Sequence, residues 1–138
     1  TGDEKAYRKM AESLKSGDIQ ERIAAATAFA DWPNDEPFDA LIDAFEEEDS
    51  VAAKERIFKS AIQLLSAKRL HNPDEIGNYW LTLSGYANTD TQKGKIIGQA
   101  VRANQGWSMV ILNHYTENSH SQRIQDLAKK GIKKINNK

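Results

Sequence analysis

The stretch LKSGDIQERIAAATAFADWPNDEPFDALIDAF, residues 14–45, decides the fold class because it holds two helical patterns and two turn signals in succession. In each pattern the apolar residues recur every three or four positions, as they do on one face of an amphipathic helix. KSGD supplies a stop and an N-cap before the first pattern. Pro33 ends that helix, and Asn34 or Asp35 is predicted to cap the next one. We therefore interpret the acidic, proline-containing segment as a turn between two helices.

The same succession of helix and turn runs through the whole chain. Asp18, Ser50 and Asn72 are predicted N-caps, and no stretch longer than a few residues alternates with the period of a strand. Because short connections make consecutive helices antiparallel neighbours, we expect an all-α fold of about eight antiparallel helices, each of about a dozen residues. The apolar stripes run over Tyr7–Leu14, Ile19–Ala30, Phe38–Phe45, Ile57–Leu65, Ile76–Leu83, Ile96–Val101, Trp107–Tyr115 and Ile124–Ile135.

The composition indicates a globular chain without cysteine chemistry. Its 138 residues are 39% hydrophobic and 28% charged, with a mean hydropathy of −0.68, which is typical of a chain that folds in water. No apolar run reaches the roughly eighteen residues that a membrane-spanning helix needs. The absence of cysteine excludes disulfides, thiol catalysis and cysteine zinc sites. It fits the cytoplasm and a bacterial periplasm, of which we slightly prefer the periplasm. Because the chain begins with Thr1, we expect that it was excised from a longer protein.

The charge is divided unequally between the two halves of the chain. Residues 1–69 hold 10 Lys and Arg against 15 Asp and Glu, and residues 70–138 hold 9 against 5, which gives −5 and +4. A total of −1 with polar ends is not the continuous basic surface that nucleic acid requires. The lysines of the last helix are predicted to cover several of its sides, as on a solvated terminal cap. We therefore expect no nucleic-acid partner.

Internal similarity indicates a repeat. Glu21-Arg22-Ile23 matches Glu55-Arg56-Ile57 at an offset of 34 residues, and Leu41-Ile42 matches Ile96-Ile97 at an offset of 55. Such offsets between helix pairs are typical of a helical solenoid. The line LKSGDIQERIAAATAFADWPNDEPFDALIDAFEEEDSVAAKERIFKSAIQLL, residues 14–65, resembles HEAT repeats, in which an acidic turn precedes a helix with Arg and small residues and a second helix carries Leu-Ile pairs.

The resemblance implies an architecture and a setting. It implies one HEAT-like, armadillo-like domain over residues 1–138, wound as a short right-handed α-α superhelix whose core forms by stacking. ADWPNDEP followed by LIDAF is also similar to HEAT segments of large multidomain proteins of Bacteroidetes and Planctomycetes. Those segments accompany domains of the 3-keto-disaccharide hydrolase type.

One set of acidic residues is a candidate binding surface. Asp35, Asp39 and Asp43 follow one another at i, i+4 and i+8, and Glu46 and Glu47 come after them, so we expect the aspartates on one face of the third helix. A straight helix splays carboxylates outward, which disfavours calcium, whose ligands converge from a loop. A docking ridge for a basic partner and a plain solvated face both remain open.

No other constellation supports chemistry. His114, Glu117 and His120 are spaced by three, but Asn118 and Ser119 are predicted to end the helix between them, and a metal site needs further converging ligands. Neither a Gly-x-Ser-x-Gly motif nor a phosphate-cradling glycine motif occurs. We assign no catalytic, cofactor-binding or metal-binding residue and expect no cofactor.

The aromatic residues divide into core and candidate surface positions. Trp32, Trp80 and Trp107 fall on or beside the apolar stripes and are predicted to pack in the core. Tyr86 and Tyr115 are the candidates for a concave surface, where exposed aromatic residues would anchor a ligand.

We expect a non-catalytic interaction, scaffold or spacer module of a larger bacterial protein. Its partner is expected to be another protein or a neighbouring domain of the same chain, without membrane insertion, and the isolated domain is expected to be a monomer. The first alternative is an accessory domain that positions a neighbouring carbohydrate-active enzyme domain. The second is a nucleic-acid-binding HEAT-like domain.

Overall fold

A computed structural model describes residues 2–67 and 73–137, and within these ranges the chain forms eight α-helices and no strand. The all-α prediction is therefore confirmed. The predicted cap Asn72 and the neighbouring His71 lie outside the described residues. The helices are α1 Gly2–Ser16, α2 Ile19–Ala30, α3 Phe38–Glu47, α4 Val51–Ser66, α5 Pro73–Tyr86, α6 Asp90–Ala103, α7 Gly106–Asn118 and α8 Gln122–Asn136.

Side-chain caps begin α2, α4, α6 and α8. The side chain of Asp18 accepts a hydrogen bond from the Glu21 amide at 2.8 Å, and Ser50 accepts one from the Ala53 amide at 3.3 Å. Both predicted caps are confirmed. The other two caps, Thr89 and Ser121, use the same geometry at 3.1 and 3.3 Å. Each bond satisfies one amide of the first turn, which otherwise has no partner within the helix.

The chain divides into two compact units, Thr1–His71 and Asn72–Lys138. In the first unit α1 packs on α2 and α3 packs on α4, while α1 also contacts α3 and α2 contacts α4. In the second unit α7 and α6 both pack on α8 and contact each other, while α5 contacts α7 and, less extensively, α6. Each unit is therefore two helical hairpins stacked side by side, a pairing consistent with the predicted superhelix.

The caps give the register of the repeat. Asp18 and Ser50 are 32 positions apart, and so are Thr89 and Ser121. A bond of 2.9 Å from Gln63 to Asp31 connects the far ends of α4 and α2 at the same spacing, so these helices run parallel. The buried residues agree: at this spacing Ala25, Ala26, Phe29 and Ala30 of α2 correspond to Ile57, Phe58, Ala61 and Ile62 of α4.

Neither of the two offsets found in the sequence, 34 and 55 residues, equals the spacing of 32 residues between the caps. The offset of 34 is two residues out of register, because it matches the half-buried Ile23 with the buried Ile57. The offset of 55 matches a pair in α3 with a pair in α6, which are helices of different position in their hairpins. The first match therefore joined residues of similar chemistry but different burial, and the second joined buried residues from helices of different position.

The acidic turn of residues 30–37 closes differently from the prediction. The helix before the turn, α2, ends at Ala30, and the helix after it, α3, begins only at Phe38. Pro37 occupies the N-cap position of α3 and makes no side-chain cap bond. Asn34 instead accepts a bond from the Glu36 amide at 2.9 Å, which forms an Asx turn. The predicted cap at Asn34 or Asp35 was wrong. A residue that precedes proline is disfavoured in helical geometry, so Pro37 delays the helix.

An aromatic cluster covers this turn. Tyr7 lies 5.2 Å from Phe29 and 5.7 Å from Trp32, measured between ring centroids, and Phe29 lies 5.5 Å from Trp32. The Tyr7 hydroxyl donates to the carbonyl of Glu36 at 3.2 Å. An early residue of α1 thus meets the end of α2, which is the arrangement of antiparallel helices. Trp32, which was predicted to pack in the core, lies against this cluster at the turn but is only half-buried.

The second unit has its own aromatic core. Trp80 is buried and stacks on the half-buried Trp107 at 5.4 Å with nearly parallel rings. Tyr115 is also buried, and its hydroxyl donates to the carbonyl of Ser84 at 3.2 Å; burial raises the pKa of this hydroxyl. Tyr115 was predicted as a candidate surface residue, and that prediction is wrong, because its side chain fills the space between α5 and α7.

Candidate functional site

Four of the five predicted acidic residues lie together on α3. Asp39, Asp43, Glu46 and Glu47, which we call the acidic ridge, are exposed. The fifth, Asp35, is half-buried in the preceding turn and does not share their helix, because α3 begins three residues later. Within the described ranges, Asp39, Asp43 and Glu47 form no salt bridge.

The ridge lies opposite a buried face. The other side of α3 is packed in the core by Phe38, Leu41, Ile42, Ala44 and Phe45. The ridge also acts on its surroundings: burial raises the pKa of the Tyr7 hydroxyl, and the carboxylates of Glu36 and Asp39 raise it further. The ridge is therefore a negative surface on a helix whose orientation is set by packing.

An ion pair fixes the end of this helix. Arg22 donates from Nε to Oε1 of Glu48 at 2.7 Å and from Nη2 to Oε2 at 3.2 Å. Its Nη1 also donates to the carbonyl of Gly17 at 2.8 Å. The Ser50 amide donates to the same carboxylate at 3.0 Å. The pair thus connects the turn before α2 with the turn after α3, next to Glu47 of the ridge.

The groups around Glu48 favour its ionised form. Burial by itself raises the pKa of this carboxyl, but hydrogen bonds from the Ser50 and Asp49 amides and from Arg22, together with the Arg22 charge, hold the pKa below its usual value. The carboxylate and its partners border a pocket of about 190 Å³. Because Glu48 is ionised and fully engaged, its role is to hold the two turns together. The pocket is lined by Leu14, Lys15, Arg22, Ala44, Glu47, Glu48 and Asp49.

The histidines of the second unit lie at its surface. His114, Glu117 and His120 are exposed, and α7 ends at Asn118, where the sequence predicted its end. The Asn118 amide donates to the carbonyl of His114 at 3.1 Å. Over residues 2–67 and 73–137, no group of three or more His, Asp or Glu side chains is placed to hold a metal ion.

A groove that the sequence did not indicate lies between α6 and α8. We call it the basic groove; it has a volume of about 260 Å³. Leu127 belongs to the predicted apolar stripe of α8 but is 38% exposed here, unlike its neighbours Ile124 and Ala128, which are buried. The usable signal was the glycine pair Gly94 and Gly98, one turn apart on α6. The groove is lined by Gly94, Ile97, Gly98, Val101, Arg102, Leu127, Lys130, Gly131 and Lys134.

Comparisons with protein-family models, with curated proteins and with solved structures found no match to this chain. Among the helices that the structure describes, none is long and apolar enough to cross a membrane. The candidate surfaces are therefore interpreted from their own geometry and charge.

Proposed function

We propose that this chain is a non-catalytic protein-interaction module, of HEAT-like type, that acts as a scaffold or spacer within a larger bacterial protein. The observation that carries the proposal is the acidic ridge on α3, four exposed carboxylates on a helix whose opposite face is buried. The partner is a protein, or a neighbouring domain, with a basic surface.

The spacing of the ridge supports binding more than stability. Asp39 and Asp43 are one turn apart, as are Asp43 and Glu47, and like charges at this spacing destabilise a helix by about 0.2–0.5 kcal/mol per pair. A basic partner relieves this repulsion. Since complementary charges act mainly on the rate of encounter and on the choice of partner, the ridge is suited to recognition at moderate affinity.

The test is capture of partners from soluble and envelope fractions of the source cells, with the chain as bait at low and moderate salt. The ridge variant carries Asp39→Asn, Asp43→Asn, Glu46→Gln and Glu47→Gln. A matched control removes as many exposed carboxylates elsewhere, by Glu12→Gln, Glu21→Gln, Glu117→Gln and Asp126→Asn. A partner that the control retains and the ridge variant loses supports the proposal. Equal capture by both variants would remove the ridge as the surface, and no capture at all would leave a spacer.

The accessory role beside a carbohydrate-active domain remains a prediction from the resemblance. It differs from the main proposal in the identity of the partner. Capture of a sugar-active domain through the ridge would turn the general proposal into this particular one. A nucleic-acid role has one observation behind it, the lysines around the basic groove, and binding of a labelled DNA duplex tests it.

A further inference from the structure

We propose that the basic groove binds an acidic amphipathic helix of a partner protein. An apolar side chain of the partner lies on the groove floor, and its carboxylates pair with the cations on both sides. This is helix-in-groove recognition, in which apolar anchors give affinity and flanking charges give specificity.

Two glycines, Gly94 and Gly98, leave room for the groove because they have no side chain. A Cβ on Gly94 would lie 3.7 Å from Cδ2 of Leu127, and one on Gly98 would lie 3.6 Å from the Arg102 guanidinium. Neither glycine extends over the groove, so the apolar side chains of Ile97, Val101 and Leu127 form its floor. The groove is thus an apolar surface that is open between two helices.

Close packing of α8 places the second wall. A Cβ on Gly131 would lie 2.8 Å from Cγ2 of Val101 and 3.1 Å from Cδ2 of Leu112, so a larger residue here would force these side chains to shift. The starts of the two helices are joined by a bond of 2.9 Å from Ser121 to Asp90. These two contacts, at Gly131 and between Ser121 and Asp90, fix the position of α8 relative to α6.

The rim is basic on both sides. Arg102 stands on α6, and Lys130 and Lys134 stand one turn apart on α8; all three are exposed. No acidic residue lines the groove, and none of the three cations forms a salt bridge within the described part of the chain. Over α6 and α8 together, eight Lys and Arg stand against two Asp. A rim of this charge is complementary to carboxylates.

The lining favours a peptide over a nucleic acid. Single-stranded nucleic acid binds by stacking bases on aromatic side chains, and among the residues that the structure describes no aromatic side chain lines this groove. Its volume of about 260 Å³ is below the roughly 300–1,000 Å³ of small-molecule sites. One or two aliphatic side chains of a helix fit this space, and the apolar floor would be of no use to phosphates.

This inference concerns the second unit and does not rest on the acidic ridge, which lies on α3 of the first. It shares with the proposed function only the idea that the chain acts by binding proteins. Variants of the groove leave the ridge unchanged, and variants of the ridge leave the groove unchanged. Failure of one proposal is therefore separable from failure of the other.

The test is selection from a random-sequence peptide library on the immobilised chain, followed by fluorescence anisotropy with the most enriched peptide. We expect enriched peptides with apolar residues at helical spacing, flanked by Asp and Glu. The variant K130E/K134E should weaken binding at least about tenfold. The matched control K129E/K133E makes the same charge change at exposed residues of α8 that do not line the groove and should weaken binding less than about threefold.

A second pair of variants tests the floor. Leu127→Gln should weaken the same peptide about tenfold, whereas Val110→Gln, at another exposed apolar residue outside the groove, should have no effect. Equal losses in both double variants would mean diffuse attraction and overturn the proposal, as would enrichment of peptides without acidic residues or no enrichment. A labelled DNA duplex that binds more tightly than any selected peptide would assign the surface to nucleic acid and also overturn it.

Discussion

At the scale of single residues, the ion pair of Arg22 and Glu48 is the contact with the largest expected effect on stability. The side chain of Glu48 is 4% exposed and that of Arg22 is 22% exposed. Arg22→Met would leave the carboxylate buried without its partner, and we expect a loss of about 3 kcal/mol in the free energy of unfolding, measured by urea denaturation. The control is Arg8→Met, whose pair with Glu4 is exposed, and a loss below about 0.5 kcal/mol is expected there.

The same pair sets a dependence on pH. Because the pKa of Glu48 is lowered in the folded state, its contribution to stability is present above the ordinary glutamate value of about 4.3 and is lost as the pH falls through the lowered value. The stability difference between the native chain and Glu48→Gln should therefore be large at pH 7 and shrink below about pH 4. A difference that stays constant from pH 7 to pH 3 would contradict the lowered pKa.

Sequence predicted the residue-scale features whose partners are close in the chain. The caps at Asp18 and Ser50 were readable because each side chain meets an amide three residues away. Arg22 and Glu48 are 26 residues apart, and neither local segment contains a signal that predicts their pairing. The hydrogen bond that the Asn34 side chain accepts from the Glu36 amide is local as well. It competes with the predicted helix cap, and Pro37 favours it because the residue before a proline avoids helical geometry.

At the scale of helices, the packing of α8 depends on Gly131. We expect Gly131→Ala to lower the free energy of unfolding by about 1 kcal/mol, because overpacking costs about 1–3 kcal/mol and the gain in helix propensity returns at most about 1. Gly98→Ala, in the interior of α6 with a nearest neighbour at 3.6 Å, should instead raise it by about 0.5–1 kcal/mol. Thermal unfolding of both variants compares them, and equal gains would show that α8 has room for a methyl group.

The helices were predictable from the sequence, but the exposure of Leu127 in the basic groove was not. Leu127 lies in the same apolar stripe as the buried Ile124 and Ala128, and periodicity treats the three alike. Leu127 is exposed because Gly94, which has no side chain to cover it, lies opposite on α6, 33 positions earlier in the chain. In the acidic ridge, by contrast, helical spacing alone brought Asp39, Asp43 and Glu47 to one exposed face.

At the scale of the whole molecule, the two units carry charges of opposite sign. By sequence, residues 1–71 hold 10 Lys and Arg against 15 Asp and Glu, and residues 72–138 hold 9 against 5. We expect net attraction between molecules at low ionic strength, seen as a negative second virial coefficient in light scattering, that disappears near 0.15 M salt, where screening acts within about 8 Å.

The variant K130E/K134E tests the origin of that attraction. It brings the charge of residues 72–138 from +4 to zero, so the attraction at low salt should weaken. Attraction that is the same in the variant, or that persists at high salt, would point to apolar contacts such as the exposed Val51.

The equal spacing of the caps has a consequence for how such a chain changes length. A deletion of residues 19–50 would join Asp18 directly to Val51, and an acidic cap would then precede α4 in place of the serine. A coding sequence that recombines at these two points loses or gains 32 residues, the second helix of one hairpin and the first helix of the next, while helix starts keep their phase. Unequal crossing-over at such breakpoints would yield shorter and longer descendants that need no compensating substitutions at the joint.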